Sequence, residues 1–220
     1  MFKTCKMDFM GIRPYITWKP IAFFILFSVG FTYYRDYSVF PMIFALTISL
    51  KIMTYPFVTE EVSGTERLYR MIGMEDEDTV RGRYLYSIVV FLIATLAALI
   101  MMNGVSFTKN GEFLIRESLI GGGIYLTMYI LYMAIALPIF FSMGYKKAKA
   151  VAWLTLVAAT LIVIGITGFA ASAFPKEVKG LYLWASSHVL LIVLLGIVFL
   201  VLMTMLSYSV ALKNFKKRDL

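Results

Sequence analysis

A chain of 220 residues that is 60% hydrophobic and only 15% charged carries more apolar surface than a soluble domain of that size can hide. Its formal net charge of +8 would suit nucleic acid, but the basic residues cluster in short connections between apolar runs. That pattern favours membrane orientation over nucleic-acid binding, and no nucleic-acid partner is expected.

Residues 1–17 read as an interfacial helix. Phe2, Cys5, Phe9 and Ile12 recur at helical spacing, and Lys3, Lys6 and Arg13 lie on other faces, as suits a helix lying along an anionic leaflet. The first apolar run ends in Gly30-Phe31-Thr32-Tyr33-Tyr34 rather than a small-x-small cleavage site, so the first helix is expected to be kept. A bilayer core takes about 20 helical residues, and six stretches qualify. They run Trp18–Tyr34, Ser38–Phe57, Tyr84–Asn103, Phe113–Met143, Val151–Phe174 and Leu181–Leu212. The predicted fold class is all-α, a polytopic membrane protein with six transmembrane helices in a single domain over residues 1–220. Pro41 falls in the first turn of its span, where proline is tolerated, and Pro138 can kink the fourth span.

Lys and Arg set the orientation. With both termini inside, the N-terminal segment, the 58–83 loop, the Lys146-Lys147-Ala148-Lys149 connection and the C-terminal tail hold 15 basic residues, against five in the outer connections. Trp18 and Trp153 then mark the inner interface and Trp184 the outer one. Lys51 is the one basic residue left within a span. It lies about two turns from the cytoplasmic end, so its stem is expected to snorkel, with a place in a transport path as the lesser alternative. Arg116 and Glu117 open the fourth span as an interfacial pair. The outer connections, Arg35-Asp36-Tyr37, Gly104–Glu112 and Pro175–Gly180, are too short to form an external domain.

The longest polar interval, Phe57–Arg83, holds seven of the 13 acidic residues. Ser63-Gly64-Thr65-Glu66 has the form of a capping box, and Gly73 sits where a helix would end in a left-handed residue. Between them Leu68, Met71 and Ile72 share one helical face, with Glu66, Arg67 and Arg70 beside it. So short a helix cannot hold itself together in water and needs a partner surface. The acidic run Glu75-Asp76-Glu77-Asp78 suits either the N-terminus of the third span or a patch for basic partners.

Catalysis by this chain is not expected, and no residue is assigned as catalytic, cofactor-binding or metal-binding. No nucleotide-binding loop is present, and Gly121-Gly122-Gly123 lies in an apolar helix, where it suits close packing or a flexible kink. Glu60-Glu61 with Arg67 suggests a membrane protease pair, but the single histidine, His188, cannot make a two-histidine metal site. Ser187 and His188 are adjacent, so on a helix their side chains should point apart, and His188 reads as a packed or interfacial residue. Cys5, the only cysteine, allows no internal disulfide.

Three blocks resemble the small ABC-2-type exporter permeases. They are Thr59-Glu60-Glu61…Glu66-Arg67-Leu68-Tyr69…Gly82-Arg83-Tyr84-Leu85, then Leu137-Pro138-Ile139-Phe140-Phe141…Gly144-Tyr145-Lys146-Lys147-Ala148-Lys149, and Leu206-Ser207-Tyr208-Ser209…Lys213…Lys216-Lys217-Arg218-Asp219. The turn that carries proline in that family is here Gly73–Asp78. Within the family, the bacterial exporters of phenol-soluble modulins, amphipathic cytolytic peptides, look most similar. The resemblance implies a cell-membrane permease that moves an apolar or amphipathic substrate outward. Its implied partners are a second, identical permease and two copies of a separate ATPase that binds ATP and magnesium. It makes Ser63–Ile72 the coupling helix, with Ser63, Glu66, Arg67, Leu68, Tyr69, Arg70, Met71 and Ile72 at the ATPase. The alternative function is a non-transporting immunity protein that sequesters an amphipathic peptide.

Overall fold

The computed structural model describes residues 2–13, 17–35, 40–173, 180 and 187–217. Its described elements are all helices: α1 (Phe2–Ile12), α2 (Trp18–Arg35), α3 (Phe40–Met53), α4 (Tyr55–Ser63), α5 (Thr65–Met71), α6 (Asp76–Asn110), α7 (Ile115–Ala173) and α8 (Val189–Lys216). Among the described residues four helical stretches are long and apolar enough to cross a membrane: Phe40–Ser63, Asp76–Lys109, Gly121–Thr155 and Val193–Lys216. Ile21–Phe31 of α2 is a shorter apolar helix. The outer connections expected at Arg35–Tyr37 and Pro175–Gly180 fall largely outside the described residues, as do Trp184 and the side chains of Trp18, Arg116 and Glu117.

Breaks in the rods have identifiable causes. Pro56, in the first turn of α4, has no N–H to give the carbonyl of Ile52, and the Tyr86 hydroxyl donates to that carbonyl instead at 3.1 Å. In α7 the break falls not at Pro138 but at Gly144, whose φ of 71° and ψ of 171° only glycine adopts readily. It divides α7 into arms 115–143 and 145–173, the division expected between the fourth and fifth spans. Among the described residues Gly121, Gly122 and Gly123 have no close packing partner, since a Cβ at any of them would meet nothing within 4 Å.

The core sits at the end of the bundle where α4 passes into α5. Phe57 lies 5.1 Å from both Phe140 and Phe141 by ring centroids, and Phe141 lies 5.3 Å from Phe215. Farther along, Phe91 and Tyr129 stack at 4.3 Å, and the Tyr129 hydroxyl donates to the Ser87 carbonyl at 2.7 Å. Such bonds tie helices together where apolar burial alone gives no preference for protein over lipid. At the opposite end the Lys109 ammonium donates to the Tyr33 carbonyl at 3.0 Å, joining the ends of α2 and α6.

Candidate coupling site

The α4–α5–α6 junction is built by two left-handed glycines. The Gly64 N–H donates to the Glu60 carbonyl at 2.8 Å and ends α4. The Met74 N–H reaches back to the Tyr69 carbonyl at 3.0 Å across Gly73, whose φ is 73°, which closes α5 with the 6→1 bond of a Schellman motif. The capping box does not form as expected. Ser63 ends α4, and its hydroxyl donates backward to the Thr59 carbonyl at 2.6 Å, because the helix from Tyr55 runs on through the polar residues. Glu75 is the N-cap of α6, and Asp76, Glu77 and Asp78 lie in its first turn, where the helix dipole favours them. Glu77 also meets cations of this chain, Arg81 at 3.2 Å and Lys216 at 3.8 Å.

Behind α5 lies a buried polar cluster that sequence reasoning missed. Arg83 is 1% exposed and donates to the Glu60 carboxylate at 2.7 Å, and its guanidinium lies 4.4 Å from the Phe57 ring centroid and 5.4 Å from that of Phe141. Asp8 of α1 is also buried and accepts a hydrogen bond from the Tyr69 hydroxyl at 2.9 Å. Burial pushes the Asp8 carboxyl above its ordinary range, opposed by the nearby Arg83 and the Tyr69 hydrogen bond. Burial and the Asp8 charge raise Tyr69 in turn, so the hydroxyl keeps its proton. The signal for Asp8 was present: it stands three residues after Cys5 and four before Ile12, on the face that becomes buried.

Helix α1 therefore spends its apolar face on protein. Cys5 and Ile12 pack with Tyr86 and Val90 of α6, and Phe9 meets Tyr86 edge-on at 4.7 Å. Thr4 touches Met74 just past α5, its hydroxyl 3.7 Å from the sulfur. Burial, with Asp8 alongside, pushes the Cys5 thiol up, which leaves it a poor nucleophile.

The front of α5 is bare. Leu68, Met71 and Ile72 are 49%, 81% and 53% exposed, while Tyr69 between them is 3% exposed. The side chains of Glu66, Arg67 and Arg70 lie outside what the structure describes. Around this site the basic residues Lys3, Lys6, Arg13, Arg81, Lys146, Lys147, Lys149, Lys213, Lys216 and Lys217 are all exposed. Lys51, in the last turn of α3, is exposed as well.

The three sequence blocks converge here. Arg83 of the first stands over Phe141 of the second, Phe141 packs on Phe215 of the tail, and the Tyr84 hydroxyl lies 2.5 Å from that of Ser207. The family described as ABC-2 family transporter protein matches residues 5–216, nearly the whole chain. The chain belongs to the ABC-2 transporter family. No curated protein and no solved structure matches it. As an ABC-2 permease it is a multi-pass membrane protein and a transport component, and the family implies a separate ABC ATPase as partner. Its remaining candidate chemistry is slight. The Ser187 hydroxyl and His188 Nδ1 do meet, at 2.8 Å, against expectation: His188 is the N-cap of α8 and has left helical geometry, so neighbouring side chains can turn together. Among the described residues no cluster of three or more metal-ligating side chains occurs.

Proposed function

We propose that this ABC-2 permease has six spans with both termini cytoplasmic and exports an apolar or amphipathic substrate, with α5 as the helix through which its ATPase drives it. The observation that carries the reading is the two-sided character of α5. Seven residues are too few for a helix to persist alone in water. This one is held from behind through Tyr69 and presents Leu68, Met71 and Ile72 forward. In this reading those three side chains seat in a groove of the ATPase, and Glu66, Arg67 and Arg70 fix the register.

Movement of α5 would pass into the bundle along two routes. Tyr69 bears on Asp8 and so on α1, while Gly64 joins α5 to α4 and its Glu60–Arg83 pair at the foot of α6. Closure of two ATPases, with ATP and magnesium bound to them, would bring two coupling helices together and rock two identical permeases about their interface. The six-span count is supported by α2, whose 18 residues reach about 27 Å against a bilayer core of about 30 Å, and by the break in α7 at Gly144. The clustering of exposed Lys and Arg at the α5 end supports a cytoplasmic placement of that end. Cytolytic peptides of the phenol-soluble modulin type are the proposed cargo, on sequence resemblance. Co-purification in mild detergent tests the reading: an ATPase should travel with the wild-type chain, and recovery of the chain alone without ATPase activity would overturn it.

A further inference from the structure

An apolar cavity of about 560 Å³ lies between α1, α2, α3 and α6, within the range of about 300–1,000 Å³ typical of small-ligand sites. Its α3 wall runs from Pro41 to Ile52 and its α6 wall from Val90 to Met101, with Phe24 of α2 and Phe9 of α1 completing it. Eleven helical steps from Pro41 to Ile52 span about 16 Å, close to one leaflet of a hydrocarbon core of about 30 Å. A smaller recess of about 40 Å³ adjoins it and shares Ile21, Phe24, Ile48 and Ile52, but it also contains Thr17, Lys51 and Tyr55. Lys51 thus stands at one end of a slot that is otherwise apolar.

The depth of that end is set by α1. Lys3 and Lys6 of this helix and Arg13 just after it are exposed, and Ile52 and Tyr55, one and four residues after Lys51, pack against the cluster that Cys5 and Ile12 of α1 form with Tyr86 and Val90. The long stem of the exposed Lys51 lets its ammonium reach the headgroups of the same leaflet. We propose that the slot binds one acyl chain of an anionic phospholipid from the leaflet on which α1 lies, with Lys51 holding the headgroup phosphate. A lipid tail is apolar all round and charged only at one end, which is the distribution the walls offer. An amphipathic peptide would need polar lining for its second face, and the main cavity gives almost none. The proposal requires only that the chain lie in a membrane, so it stands or falls separately from ATPase coupling.

The test is native mass spectrometry of the full chain in mild detergent, titrated with phosphatidylglycerol and with phosphatidylcholine of the same chains. The wild type should keep about one phosphatidylglycerol per chain and prefer it about fivefold, the ratio one near-surface lysine supplies. Lys51→Gln should remove the preference, and Ala97→Phe, which fills the slot from α6, should remove retention of both lipids. Lys51 is exposed, so its variant decides the matter even if Ala97→Phe fails to fold. Equal retention of the two lipids, no retention by the wild type, or a preference unchanged in Lys51→Gln would overturn the proposal. One-for-one displacement by a synthetic amphipathic helical peptide, equal in wild type and Lys51→Gln, would assign the slot to cargo instead.

Discussion

Two apolar surfaces meet at the α5 end of the bundle, and the chain treats them in opposite ways. Around Phe57, Phe140, Phe141 and Phe215 the rings close over a buried ion pair until almost nothing is exposed. One glycine turn away, Leu68 and Met71 of a seven-residue helix and Ile72 just after it stand in the open. The first surface gains its stability within the chain. The second contributes little until something covers it, which is why damage to the two should be felt differently: as unfolding in one place and as lost coupling in the other.

The largest effect on stability should come from Glu60→Gln, which leaves the Arg83 guanidinium without its carboxylate. Removing one partner of a buried pair costs about 3–5 kcal/mol, and thermal unfolding in detergent should show a large drop. An unchanged unfolding temperature would break the comparison at its stable side. Tyr69→Phe should cost less, about 1–3 kcal/mol, because it deprives buried Asp8 of one hydrogen bond. The loss should be local and read as faster hydrogen exchange in α1 and α5 than in α7.

A pH series sharpens the same contact. The folded protein raises Asp8 above the ordinary carboxylate value of 3.8, so the folded state holds that proton more tightly than the unfolded chain does. The stabilising contribution is therefore complete below the unfolded value and is lost as pH rises through the folded one. Unfolding of the wild type should become easier relative to Asp8→Asn across that window. A difference that stays flat with pH would show that Asp8 does not titrate in the fold. Leu68→Asp sits at the smallest end for stability, within about 0.5 kcal/mol, as expected of an exposed position.

Much of the scaffold was legible because a bilayer leaves the chain few choices. Apolar runs of span length became α3, α6, α7 and α8, and the left-handed close at Gly73 came where a glycine followed an apolar helical stripe. The bare face of Leu68, Met71 and Ile72 was legible from spacing alone. The support behind it was not. Glu60 read as part of a polar loop and Arg83 as a charge that orients the membrane span, since nothing local to either residue reveals a partner 23 positions away. Asp8 was overlooked although it interrupts an apolar face, the usual sign of an internal hydrogen bond. Pro138 drew attention as a kink, yet the break required a backbone geometry open to Gly144 and closed to proline.

The most direct test of the account compares ATPase capture by the wild-type chain and by Leu68→Asp, purified from the same membranes and matched for unfolding temperature. The account predicts that the wild type brings down an active ATPase and that Leu68→Asp, equally folded, brings down none. Capture of the same ATPase with undiminished coupled hydrolysis by Leu68→Asp would contradict the assignment of α5 as the coupling helix.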